Sequence, residues 1–100
     1  MSASSVHVQH RPTDHRFAAA VAGGEAVLKY ESLPDGTLDL THTVVPEEAR
    51  GGGVGDALVR AAVGYARREG VQLIATCPYV EAWRERHPAE SDVFADADES

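Results

Sequence analysis

Between Val54 and Tyr65 apolar residues recur at three- and four-residue steps: Val54, Ala57, Leu58, Ala61, Ala62 and Tyr65 share one face of a helix. Asp56 in the first turn and Arg67 and Arg68 in the last suit the two ends of the helix dipole, and Gly70 supplies the stop. Upstream the pattern changes. Thr37 to Val45 is β-rich with an alternating segment, and Pro46 closes it. Val6 to His10, Phe17 to Val21 and Ala26 to Glu31 predict three further strands. Gly23-Gly24 and Pro34-Asp35-Gly36 have the chemistry of tight connections, which makes these strands an antiparallel meander. After Gly70 the pattern predicts a strand over Gln72 to Thr76 and a last helix over Tyr79 to Arg86. Pro78 suits that helix's first position and His87-Pro88 its end. No internal repeat interrupts this order. The elements make an α+β fold: a mixed sheet of about five strands, mostly antiparallel, with two helices.

Composition narrows the picture. A chain of 100 residues, 43% apolar, makes one small domain with a single core. That domain is expected over residues 1–90. Glu90, Asp92, Asp96, Asp98 and Glu99 crowd the end, so residues 91–100 are expected to form a solvated, frayed tail. A formal charge of −7 argues against a general nucleic-acid binder, which needs a basic face to displace counterions. No stretch approaches the length of a membrane span, and Met1 to Ser5 is polar rather than a hydrophobic signal. The expectation is a cytoplasmic protein with no membrane partner. Cys77 is the single cysteine, so neither a disulfide framework nor a cysteine-based metal cluster is available within one chain, and no metal is expected.

Candidate chemistry centres on Arg50-Gly51-Gly52-Gly53-Val54-Gly55, placed between the Thr37 to Val45 strand and the first helix. The first turn of a helix carries N–H groups without intrahelical partners at the positive end of the dipole, so it holds phosphate, and glycines let the phosphate approach. Arg50 is the cation best placed to assist. Two familiar phosphate motifs are excluded by spacing. A Walker loop needs Gly-Lys-Ser/Thr at the helix start, where this chain has Gly55-Asp56-Ala57. A dinucleotide fingerprint needs three glycines in G-x-G-x-x-G register and an acidic residue about twenty positions on. Here Asp56 follows Gly51 and Gly53, and Ile74 to Thr76 are uncharged.

What remains, Arg-x-x-Gly-x-Gly, resembles the pyrophosphate-binding signature of the Gcn5-related N-acetyltransferases, the GNAT superfamily. Further blocks extend the resemblance over residues 16–88 to the small, single-domain YjdJ-type branch. They are His42-Thr43-Val44-Val45-Pro46, Leu58-Val59, Ala66-Arg67, Cys77-Pro78-Tyr79-Val80 and Arg86-His87-Pro88. The resemblance implies acetyl-coenzyme A as donor and an amine as acceptor, a small molecule or a protein. It implies that backbone groups of Thr43, Val44 and Val45 meet the pantetheine arm and the thioester carbonyl. Arg50, Gly51, Gly52, Gly53, Val54 and Gly55 would hold the pyrophosphate. The arm would run between the strands containing Val44 and Ala75, toward Cys77 and Tyr79.

Direct attack on a thioester needs a base for the amine and an acid for the departing thiolate. Tyr79 is the candidate acid, against the alternative that it packs with Trp83 as an i, i+4 pair. His42 is nearest by motif as base, but strand alternation can turn it away from the cofactor into a structural role. Cys77 offers a thiolate nucleophile that would carry the acetyl group, or an inert packing role with Val71, Leu73 and Ala75 on one strand face. Glu47 and Glu48 precede Arg50 and are expected to be exposed. The chain has no room for the helical pair that usually follows the family's first strand and shapes the acceptor pocket. An N-acetyltransferase and a non-enzymatic acyl-coenzyme A binding module are therefore both compatible with the residues.

Overall fold

The computed structural model describes residues 6–95. Its five strands are β1 (Val8–Arg11), β2 (Arg16–Val21), β3 (Gly24–Ser32), β4 (Leu38–Val44) and β5 (Leu73–Ala75). Helix α1 (Val54–Glu69) joins β4 to β5, and α2 (Pro78–Arg86) follows β5. The strands lie side by side in chain order, antiparallel throughout except for β4 and β5, which are parallel. A parallel pair needs a crossover, and α1 supplies it. This is the expected α+β architecture, with boundaries shifted by a few residues at β1 and β5.

Both helices cover the same face of the sheet. The buried side chains of α1 (Val54, Leu58, Val59, Ala62, Val63, Ala66) and of α2 (Val80, Trp83) join Phe17, Ala19, Leu28, Tyr30 and Leu40 in one core. Strand alternation explains which residues face that core: Phe17 and Ala19 on β2, and Ala26, Leu28 and Tyr30 on β3. Trp83 is fully buried, and its indole N–H donates to the Asp56 carboxylate at 2.7 Å, which ties α2 to the first turn of α1.

The chain end differs from expectation. Acidic composition predicted solvation from residue 91, yet Phe94 bridges to Leu73 beside β5, and Ala95 N–H donates to the Leu73 carbonyl at 2.7 Å. Val93 and Phe94 are buried, since two apolar side chains inside an acidic run find the open edge of β5. The acids themselves are paired, Glu90 with Arg60 and Asp92 with Arg67 at 2.5 Å. Asp96, Asp98 and Glu99 of the expected tail lie outside the described residues.

Candidate functional site

Two local features open a cleft where β4 and the last strand, β5, part. Strand β5 pairs with β4 only from Leu38↔Leu73 to Leu40↔Ala75; Cys77 N–H then closes the ladder on the Leu40 carbonyl at 2.9 Å. Pro78 starts α2 at once and carries the chain away, while β4 runs on to Val44. Thr41 to Val44 therefore have no strand partner on the β5 side among the described residues. The second feature is a bulge. Lys29 pairs with His42 but Tyr30 with Leu40, so Thr41 is an extra residue in β4. Leu38 and Leu40 face the helices, and the extra residue inverts the alternation so that Thr43, paired with Leu28, faces them too. Thr43 and Val45 form one wall of a cleft of about 430 Å3, with Ala49, Arg50, the glycine turn and Tyr79 completing it.

The glycine turn is built for an exposed backbone. A short 3-10 turn over Glu47–Ala49 brings Arg50 back toward β4, where its Nε donates to the Val45 carbonyl at 3.1 Å. No carboxylate pairs with Arg50 among the described residues. Gly51 and Gly53 adopt φ of 86° and 82°, in the left-handed region, although a Cβ at either would touch nothing within 4 Å. Glycine is required there by backbone conformation and not by crowding. Gly53 stands at the N-cap of α1 with no side chain to cap it, which leaves the first N–H groups of the helix facing the cleft.

Gly55 has the opposite reason. A Cβ on it would lie 2.6 Å from Tyr79 Oη and 2.7 Å from Cζ, so its bare backbone is what lets the phenol lie against the first turn of α1. Tyr79 is 38% exposed, and its pKa is pushed up, first by burial and then by the nearby negative charge of Asp56 and by Cys77, against an opposing pull from Arg86. The phenol is thus held protonated at neutral pH. Asp56 feels burial as the largest influence, which raises its pKa. Hydrogen bonds from Trp83 and Arg60, the latter at 2.8 Å, together with charge, outweigh that and leave it below the usual carboxylate range. Cys77 sits behind the cleft wall, 5% exposed, with Sγ 3.4 Å from Thr43 Oγ1.

The fold that carries this cleft agrees with the sequence comparison. The family model for the GCN5-related N-acetyltransferase matches residues 16–93. The chain belongs to that family. Protein NATD1 of Xenopus tropicalis is 33% identical to it over 87 residues, covering 85% of this chain and 80% of that one. Protein NATD1 of Homo sapiens is 31% identical over 85 residues, covering 83% and 75%. The solution structure of a GCN5-like protein from Staphylococcus aureus superposes with a TM-score of 0.72 over 93% of this chain and 91% of the other, at 24% identity, a likeness of fold.

Within this N-acetyltransferase fold, the cleft brings together Thr43, Val45, Arg50, Gly51, Gly53, Val54, Gly55 and Tyr79 of the residues read from the sequence. Gly52 is in the same turn without lining the cleft, and Cys77 lies behind it. His42 and Val44 point to the opposite face, because the bulge turns Thr43 inward and its neighbours outward. Sequence reasoning missed Ala49, a small loop residue with no distinguishing signal, and the brace between Asp56 and Trp83. An acid in the first turn reads as a dipole partner whether or not an indole reaches it. Among the described residues no group of three or more His, Cys, Asp or Glu side chains could hold a metal, and no helix is long and apolar enough to cross a membrane.

Proposed function

We propose that the protein binds acetyl-coenzyme A in this cleft and transfers the acetyl group to an amine by direct attack on the thioester. The observation that carries the reading is the uncapped start of α1 beside Arg50, in a cleft that the Tyr79 phenol also lines, seated against the same first turn. The residues suit the donor's chemistry. Pyrophosphate would take the N–H groups of the glycine turn and the first turn of α1, with Arg50 adding charge. The unpaired edge of β4 from Thr43 to Val45 would offer backbone groups to the amide-rich arm and an N–H to the thioester carbonyl, where negative charge develops. The amine nitrogen bonds to the carbonyl carbon, the C–S bond breaks, Tyr79 gives its proton to the departing thiolate, and the amine's proton passes to water. The cytoplasm, which keeps a lone thiol such as Cys77 reduced, is the expected setting.

One observation favours a second reading. Of the residues lining the cleft none carries a carboxylate or an imidazole, so the site lacks an internal base and suits a module that binds acyl-coenzyme A without turnover. Calorimetric titration with acetyl-coenzyme A and coenzyme A, beside Arg50→Ala, tests the cleft. Saturable binding, weakened by the substitution, is expected, and absence of binding by folded protein at millimolar ligand refutes both readings. Release of free coenzyme A in the presence of amines, lost in Tyr79→Phe, then separates enzyme from binding module. A thiol-acetylated intermediate at Cys77 is not expected, since the sulfur is buried against Thr43.

A further inference from the structure

The sheet face away from the helices carries a row of basic side chains across four strands. Arg11 lies opposite Arg16, Arg16 opposite Lys29, and Lys29 opposite His42. Arg16 and Lys29 alternate with the core residues Phe17, Leu28 and Tyr30, and Arg11 and His42 stand in register with them, so all four point outward. Like charges directly across a sheet oppose folding, so packing does not account for the row. Glu25 discharges Arg11 at 2.7 Å. Arg16 and Lys29 form no ion pair among the described residues, and Arg16 Nε is a buried donor without a hydrogen-bond partner. Lys29 is the only lysine of a chain whose formal charge is −7, and it stands at the centre of this face. One row along, Val44 pairs with Val27 and leaves 51% of its surface exposed. Val44 belongs to the same unpaired stretch of β4 that offers Thr43 to the cleft on the other side.

We infer that this face docks the acceptor, and that the acceptor is a peptide segment of a protein with carboxylates near the amine to be acetylated. The inference rests on the acetyl-transfer reading above. Carboxylates would meet Arg16 and Lys29, and an apolar side chain would cover Val44. The amine would enter the split between β4 and β5. Strands about 4.8 Å apart put Lys29 one strand and Arg16 two strands from β4, so an extended peptide at about 3.3 Å per residue carries its acids roughly two to four residues from the amine. Acidic groups bracket the row: Glu31 opposite Asp39 beyond Lys29 and His42, and Glu25 toward the β2–β3 turn. A long phosphate chain would be repelled by Glu31 and Asp39 at one margin, whereas a short acidic peptide ends before it.

The test measures anisotropy of labelled peptides of equal length that carry one amine flanked by acidic, neutral or basic residues. Wild type and Lys29→Glu are compared, with acetyl-coenzyme A calorimetry on both. The acidic peptide is expected to bind saturably and more weakly as salt rises, and to lose about tenfold or more in affinity in Lys29→Glu, while acetyl-coenzyme A affinity stays the same. An exposed charge reversal leaves the fold intact, which circular dichroism verifies; Arg16→Gln gives an independent second variant. Equal affinity for all three peptides, no binding, indifference to Lys29→Glu, or preference for a single-stranded oligonucleotide overturns the proposal. Peptide binding is read without acetyl-coenzyme A, so failure of the donor to bind strikes the transfer reading alone.

Discussion

Gly55→Ala isolates the contact on which the catalytic reading of Tyr79 depends. The substitution adds one methyl group inside a helix, where alanine is favoured over glycine by about 1 kcal/mol. That methyl group would stand 2.6 Å from Tyr79 Oη, 2.7 Å from Cζ and 3.0 Å from Cε2, all closer than atoms tolerate. Overpacking costs about 1–3 kcal/mol where side chains cannot move, but a ring that is 38% exposed can swing out. The two effects roughly cancel, and the thermal midpoint is expected to move by only a few degrees. Turnover is expected to respond differently, because a displacement of about 1 Å in a reacting group costs on the order of 100-fold. The assay is coenzyme A release at saturating donor, run for Gly55→Ala, Tyr79→Phe and the double variant. A positioned acid contributes about 100-fold or more, so either single change lowers kcat by that order. With the hydroxyl gone, Gly55→Ala is expected to cost only a few-fold more, the non-additivity of two groups that act as one. Full activity in Gly55→Ala with an unchanged melting curve refutes the argument that Gly55 is there to seat Tyr79.

Three further outcomes follow from the same geometry. Asp56→Ala leaves the Trp83 indole N–H buried without its 2.7 Å acceptor, for a loss of about 1–3 kcal/mol read by thermal unfolding and by Trp83 fluorescence, the chain's one tryptophan. Because Asp56 has a depressed folded pKa, its contribution is present above the unfolded carboxylate value of about 4 and fades as pH falls through the folded one; Asp56→Asn should flatten that part of the acid-stability profile, and an unchanged profile would contradict the assignment. With the pKa of Tyr79 raised, the alkaline limb of kcat should lie above the ordinary tyrosine value of about 10, and a limb at neutral pH would exclude Tyr79 as the proton donor. Phe94→Ala should cost about 3–5 kcal/mol in chemical denaturation, as a core aromatic does, whereas an effect near zero would restore the frayed-tail expectation for this segment.

The parts of the fold that were legible in the sequence are those where local pattern and tertiary structure demand the same thing. The apolar stripe from Val54 gives α1, Gly23-Gly24 and Pro34-Asp35-Gly36 give two of the hairpins, Pro46 follows the end of β4, and Pro78 opens α2 as expected. The glycine turn was legible because phosphate chemistry and backbone conformation both call for residues without side chains there. What stayed hidden is decided between strands. Counting from Leu38 and Leu40, simple alternation would place His42 and Val44 toward the helices and leave Thr43 outside. Only the mismatch of β3 and β4 at Lys29 and Tyr30 inverts this, and neither strand records it alone. The same displaced residue thus sends Thr43 to the cleft and His42 and Val44 to the opposite face. Had Thr41 not been extra, an imidazole would stand in the cleft as a base, and the basic row would end at Lys29. Under the proposed reading, the bulge therefore gives donor and acceptor opposite faces of β4, with the reacting atoms meeting at its unpaired edge. The lack of a base in the cleft is its direct consequence, so under the transfer reading the amine's proton leaves to water and not to a side chain of the cleft.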